Sequence, residues 1–395
     1  MCSGYDSPLP PDAPPSTPAP ARVRGFVVHL VAAARPNLMK VAPLWWALKD
    51  QPWCRPRLVH TGQHRDAAMA GAIMAELGLP APHVALGIAA GTHGETIGRT
   101  IEAYDRLLAA DPPDLAVVVG DVHASLAAAI AARHRGIPLA HLEAGLRCFD
   151  RSMPEETNRL LIDHAADILW TTDAVADANL RREGIDPVRI ERVGDVTIDT
   201  LEMMRGAIAA HPGPAGLGLV PHRYGVVTLH RPANVDRADT LAPLLAALAD
   251  IARDLPLVFP VHPRTARRMA ETGLALPPGV HGLPPLGYVA FLALVARSAV
   301  VITDSGGVQQ EASHLGIACV TLRPATERPD TVTRGTNRLA DAATLAAAVH
   351  APRPAHPPHH DGQARLRVAA AIRRLAGAVS VPAGRAAVRA PRSAS

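Results

Sequence analysis

The strongest constraint on this chain is a rhythm. Short, nearly unbroken apolar runs alternate with helix-length segments from about residue 25 to 375, in two successive series. The first series of candidate strands is GFVVHLV (25–31), RLVHT (57–61), DLAVVVG (114–120), PLAHLE (138–143), DILWTT (167–172) and RIERVG (189–194). The pattern restarts with YGVVTLH (224–230), LVFPVH (257–262), AVVITD (299–304) and ACVTL (318–322). Strands that are apolar on both faces, separated by segments such as LMKVAPLWWALKD and TLAPLLAALADIARDL, belong to parallel sheets covered by helices on both sides. The fold class is therefore α/β, with two Rossmann-like doubly wound parallel-sheet domains in tandem. The expected boundaries are a disordered Pro-rich tail at 1–23, a first domain at 24–204 and a second at 205–378, with a disordered tail at 379–395. Segment 205–222, carrying Pro and Gly, reads as a linker or surface loop. GQARLRVAAAIRRLAG reads as an amphipathic helix closing the second domain.

A chain of 395 residues can bury two such cores. No apolar run reaches the roughly 18–20 residues that a membrane span needs, and the N-terminus lacks a basic-then-apolar leader. Cys2, Cys54, Cys148 and Cys319 lie far apart with no CxxC pair, which argues against a zinc knuckle or disulfide scaffold and for a reducing cytoplasm. A net charge of +4 raises the question of nucleic acid, but the arginines are scattered and aromatics make up only 3%. Without a basic stripe and stacking residues, the excess charge suits an anionic small molecule better than nucleic acid.

In open α/β sheets, ligands bind beyond the carboxyl ends of the strands, so the strand-to-helix junctions carry the chemistry. At the first, Arg35 and Lys40 near a helix start make an anion seat, or are simply a solvated Arg and an amphipathic Lys. Asp121, at the tip of VVVGD, can be a base, a hydroxyl acceptor or a helix cap. Glu143 ends a buried strand, a rare place for a carboxylate without a task. Glu155 and Glu156 follow, as first-turn helix acids or as further members of one carboxylate cluster. His141 could share a metal with Glu143, but no third or fourth ligand stands at suitable spacing, and no metal is expected. His230 and Arg231 end the first strand of the second series, where a phosphate partner is expected; His262 and Arg264 repeat the idea. HPPHH (356–360) reads as Pro-rich surface. In TDSGGVQQEASHLG, Ser305, Gly306 and Gly307 let the backbone pass close to an anion at a helix N-terminus, and Glu311 stands where it could hold ribose hydroxyls. This is neither the dinucleotide fingerprint nor a Walker loop, and it points to a nucleotide sugar.

Taken together, ARPNLMKVAPL, TGQHRD, GDVHASLAAA, HLEAGLR, MPEETNR, TLHRPAN, VHP, PLGYVAF, TDSGGVQQEASHLG, LRPATERPDTV and GTNRL carry a likeness over about residues 25–375. The chain resembles the non-hydrolysing bacterial UDP-N-acetylglucosamine 2-epimerases. That resemblance implies the GT-B arrangement, two Rossmann-like domains facing a cleft. It implies interconversion of UDP-GlcNAc and UDP-ManNAc through elimination of UDP to bound 2-acetamidoglucal and its re-addition, with no cofactor. Asp121, Glu143 and Glu155 would then be the acid/base and sugar-contacting carboxylates, and His230 would support the leaving diphosphate. Arg35, Lys40, Arg147, Ser305, Gly306, Gly307 and Arg323 would hold the phosphates or sugar, Glu311 the ribose, with the uracil near Tyr288 and Phe291. A homodimer is implied as well.

Some positions depart from the family pattern. HRPAN stands where HRREN is usual, and AAARPN where GTRPE is usual. The family's activating site draws on the QHR region; here Gln63, His64 and Arg65 persist but the PGQ-like segment is missing, so activation by substrate is expected to be weakened or absent. Three rivals share the main features: a hydrolysing epimerase releasing ManNAc, a GT-B glycosyltransferase, and a non-catalytic nucleotide-sugar sensor.

Overall fold

The computed structural model describes residues 25–33, 35–62, 67–89, 91–351 and 360–380. The tail expected at 1–23 lies outside them, as do Gln63, His64 and Arg65 and all but the first two residues of the tail expected at 379–395.

The first series forms a wholly parallel sheet of β1 (Phe26–Ala32), β2 (Cys54–Gly62), β3 (Val84–Ile88), β4 (Leu115–Val119), β5 (Leu139–Ala144), β6 (Ile168–Thr171) and β7 (Ile190–Arg192), in the order β3-β2-β1-β4-β5-β6-β7. The second forms another, of β8 (Gly225–Thr228), β9 (Leu257–Pro260), β10 (Val280–Leu283), β11 (Val300–Thr303), β12 (Ala318–Leu322) and β13 (Asn337–Ala340), in the order β10-β9-β8-β11-β12-β13. In each sheet the strand order reverses beside the first strand, between β1 and β4 and between β8 and β11. These are the switch points where doubly wound sheets open a crevice.

The central strands are buried on both faces because helices cover both. Helix Arg35–Leu48 places Leu38, Val41, Leu44 and Leu48 in the core at helical spacing, each fully buried. Each such side chain contributes on the order of 1.5–3 kcal/mol by leaving water. Three strands escaped the apolar pattern, β3, β10 and β13, and each is a sheet edge. VALGI in β3 alternates partly buried with exposed positions, and β10 exposes two of its four.

Two expectations about organisation change. The boundary at 204/205 falls inside helix Val196–Ala210, which packs against helix Arg35–Leu48 of the first half and against helices Tyr288–Val295 and Gly306–His314 of the second. The last helix, Ala364–Ser380, does not stay with the second half. It packs on Arg35–Leu48 and Val196–Ala210, burying Val368, Ala371 and Ile372, while its first N–H groups at Ala364 and Arg365 donate to Asp199. The chain thus crosses back, because that apolar stripe finds its complement on the first half. Among the described residues, no helix is long and apolar enough to cross a membrane.

Candidate active site

The first-half tips converge at the switch point. Lys40, from the second turn of helix Arg35–Leu48, forms an ion pair with Glu143 at the end of β5. Gly120 makes room for it: a Cβ there would lie 3.1 Å from Lys40 Nζ and 3.4 Å from Glu143 Oε2. Glu143 itself is left-handed (φ 70°) where the register between β5 and β6 slips. A non-glycine residue in that region costs on the order of 1–3 kcal/mol and persists only where its surroundings over-determine it. Here the second half helps: Arg328 donates to Glu143 Oε1 at 2.9 Å and to Asp195 Oδ2 at 2.7 Å.

Asp121 follows Gly120 and accepts from Arg159, with N–O separations of 2.9 Å to Nε and 2.7 Å to NH2. Burial pushes its carboxyl up, but Arg159 and Lys40 together hold it below the ordinary carboxylate range. Of the two acids opening helix Pro154–Ala165, Glu156 is structural: buried, it pairs with Arg159 and accepts the N–H groups of Cys148 and Phe149. Glu155 is partly exposed, near His123, and accepts no hydrogen bond among the described residues.

On the second half, Asp304 organises the tip of β8. It accepts the backbone N–H of His230 (3.0 Å) and of Arg231 (2.9 Å), and meets His230 Nδ1 at 2.8 Å. Burial opposes its charge, yet His230 and these N–H groups keep its pKa below normal. The His230 ring lies beside that of His262, 5.5 Å between centroids. With Nδ1 committed to Asp304, Nε2 is the nitrogen left to meet a ligand.

Ser305 caps helix Gly306–His314 without a side-chain bond. Gly306 is bare for a reason internal to the protein: a Cβ there would sit 2.0 Å from Glu327 Oε1, whereas at Gly307 nothing lies within 4 Å. Glu327 is buried, 2.7 Å from Arg323, and although burial opposes it, Arg323, Arg159 and Arg231 bring its pKa down to about 2. The helix N-terminus expected to seat a phosphate is therefore already faced by a carboxylate amid three arginines. Lys40, Arg159, Arg323 and Arg328 each contact a carboxylate. Arg231 differs: its Nε donates to the Asp304 carbonyl, its NH1 faces Met153 Sδ, and it forms no ion pair among the described residues.

Several expected binding residues sit elsewhere. Arg147 has its guanidinium engaged inside the protein, by Glu183, Asp163 and the Leu146 carbonyl. Tyr288 offers no stacking face; its ring is in the core and its hydroxyl donates to Glu311 Oε1 at 2.8 Å. Burial, with Glu311 beside it, pushes the phenol well above its usual pKa. Phe291 is partly buried against the same core. Glu311 is buried too, with Tyr288 as one partner. The N–H groups of Tyr288 and Val289 are occupied by Glu76 of the first half, at 2.9 and 2.6 Å. Arg35 opens its helix, but its side chain lies outside the described atoms. His141 shares no metal with Glu143, because both its nitrogens are engaged by Asp163 and the Gly120 carbonyl. His360 is not plain surface; it contacts Gln310, and burial lowers its pKa.

Arg328, Asp195, Glu327 and Asp304 were not singled out as site residues. Arg328 and Glu327 lie in LRPATERPDTV, an irregular loop whose spacing carries no strand-tip signature. Arg159 had a visible cue, standing three residues after Glu156 on one helix face.

A sequence profile described as UDP-N-acetylglucosamine 2-epimerase matches residues 46–373. The chain is 37% identical over 323 residues to the UDP-N-acetylglucosamine 2-epimerase of Methanocaldococcus jannaschii, covering 79% of this chain and 87% of that one. It is 38% identical over 317 residues to the UDP-2,3-diacetamido-2,3-dideoxy-D-glucuronate 2-epimerase of Pseudomonas aeruginosa, covering 79% and 88%. The crystal structure of the M. jannaschii UDP-GlcNAc 2-epimerase in complex with UDP-GlcNAc and UDP superposes with a TM-score of 0.83 at 34% identity, covering 88% of this chain and 100% of that one. The two parallel-sheet halves are thus the GT-B arrangement.

Proposed function

The chain belongs to the UDP-N-acetylglucosamine 2-epimerase family, and from that premise we propose that it interconverts UDP-GlcNAc and UDP-ManNAc without hydrolysis. A carboxylate takes the C2 proton, the C1=C2 bond forms, and the C1–O bond breaks with its electrons passing to the diphosphate. UDP then adds back to C1 as a proton reaches the opposite face of C2. Asp121, Glu143 and Glu155 supply the base and the acid. The observation that carries this reading is the convergence of Asp121 and Glu143 at one switch point, with Arg328 reaching Glu143 from the second half.

The diphosphate is received by Arg231, which forms no ion pair among the described residues, and on the open Gly307 side of the Ser305–Gly307 turn, away from Glu327, with His230 Nε2 donating to the departing oxygen. Fixed cations aimed at developing negative charge are the largest resource for such a step, because the C2–H is weakly acidic. Lys40 and Arg328 hold Glu143 aligned rather than binding phosphate themselves.

Incubation with UDP-GlcNAc in D2O tests this. Deuterium at C2 with UDP-ManNAc formed is the expected result; stoichiometric free ManNAc would replace the reading with a hydrolysing one, and an unlabelled C2 would reject epimerisation. Glu143→Gln and Asp121→Asn should each abolish most of the exchange. The same assay with UDP-2,3-diacetamido-2,3-dideoxy-D-glucuronate compares the sugar named for the P. aeruginosa relative.

A further inference from the structure

Beneath the two carboxylate-bearing tips lies a buried couple that the proposed chemistry does not use. His141, on β5 two residues before Glu143, has its Nε2 3.0 Å from the Gly120 carbonyl oxygen and its Nδ1 2.6 Å from Asp163 Oδ1. Neither ring nitrogen nor Asp163 is exposed. A carbonyl oxygen only accepts, so Nε2 carries a proton. Asp163, on helix Pro154–Ala165, uses Oδ2 to accept the Gly145 N–H at 3.1 Å and an Arg147 N–H at 2.7 Å. Two donors on Oδ2, one of them a guanidinium, favour the ionised carboxylate without any help from His141. An ionised carboxylate also only accepts, so Nδ1 carries a proton as well.

We propose that His141 is a positioning residue, held as an imidazolium by Asp163, that fixes both the Gly120–Asp121 tip and the Glu143–Gly145 tip. Gly120 is clamped on each side: its N–H donates to the Leu142 carbonyl at 3.0 Å and its carbonyl receives His141. That clamp holds Gly120 left-handed (φ 63°) immediately before Asp121. Through its other oxygen the same Asp163 holds Gly145 (φ 78°), two residues beyond the left-handed Glu143. One aspartate therefore sets the mutual placement of both carboxylates. The charged groups facing the couple are Asp163, Arg147 from the loop after β5, and Glu183, which pairs with Arg147 from the end of helix Ala174–Arg182. His29 on β1 is the contrast: buried beside Tyr104 with one partner, it is pushed down to about 4 by burial, with Arg57 adding to the shift, and stays neutral.

The kinetic part of the test rests on the epimerase reading; the spectroscopic part does not. In 15N-histidine-labelled protein at pH 7, the His141 ring should show a proton on both nitrogens, while in Asp163→Asn the Nδ1 proton should be lost or its signal shifted, because an amide does not accept as a carboxylate does. His141→Gln should lower the C2 exchange rate by about 100-fold, the scale of a misplaced catalytic group, with the Kd for UDP unchanged by calorimetry. A neutral ring at pH 7 overturns the charge assignment, and an unaltered exchange rate overturns the positioning role. If His141→Gln does not fold, Asp163→Asn carries the same kinetic comparison. If the wild type exchanges no deuterium, the epimerase reading falls, and the ring signals still decide the state of His141.

Discussion

Adding one methyl group at each of two neighbouring glycines separates two reasons for their presence. At Gly306 the new Cβ would meet Glu327 Oε1 at 2.0 Å and its carboxyl carbon at 3.2 Å; at Gly307 it would meet nothing within 4 Å. Neither residue is left-handed, so conformational freedom is not at issue. To restore ordinary contact, Glu327 must withdraw by more than about 1 Å, leaving its place 2.7 Å from Arg323 in a buried setting. Overpacking of that kind costs about 1–3 kcal/mol, partly offset by alanine's better helix propensity. Gly306→Ala should therefore lower the Tm by about 2–4 °C. Gly307→Ala should leave stability unchanged or raise it by up to about 1 kcal/mol. Its bareness has no internal cause, so it is expected to serve the ligand, and Gly307→Ala should weaken UDP binding by about tenfold or more, about 1.4 kcal/mol. Differential scanning calorimetry and titration calorimetry with UDP read both effects. Wild-type affinity in Gly307→Ala would refute the phosphate seat, and wild-type stability in Gly306→Ala would refute the pinned Glu327.

Other outcomes follow from the same contacts. Arg328→Ala leaves Glu143 and Asp195 buried without their shared guanidinium, and should cost about 3–5 kcal/mol in urea unfolding; a loss below about 1 kcal/mol would refute the bridge. Arg328→Lys should restore only part, since an ammonium lacks the fork that spans two carboxylates. Glu327 has a folded pKa depressed to about 2 from 4.5, so its stabilisation is complete above 4.5 and is lost as pH falls towards 2. In that window, Glu327→Gln should flatten the pH dependence of unfolding by up to one proton, about 1.36 kcal/mol per pH unit, measured by denaturant titration across acid pH. Burial pushes the Cys54 thiol up to about 12, so native protein at about pH 8 should resist a thiol reagent at Cys54, with labelling there appearing only on unfolding, as located by mass spectrometry.

The amino-acid sequence by itself determined the architecture. Strands buried on both faces must be apolar throughout, and ACVTL, DLAVVVG and DILWTT announce themselves for that reason. It also fixed where the candidate site residues stand, because residues at strand ends such as Asp121, Glu143 and His230 are placed by the sheet whatever the loops do. Tertiary structure decided the rest. The edge strands β3 and β10 were illegible because a half-exposed strand needs no apolar run, and β13 because its first buried position is a hydrogen-bonded Asn337. The last helix reads as an amphipathic segment, yet which half it covers depends on a complementary surface more than 150 residues away at Asp199 and on helix Arg35–Leu48. The same distance effect separates Arg147 from Arg328. Both are arginines in irregular stretches near acids; one is consumed by Asp163 and Glu183, and the other reaches across 185 residues to Glu143. An ion pair depends on where two charges come to rest in space, and no local spacing encodes that.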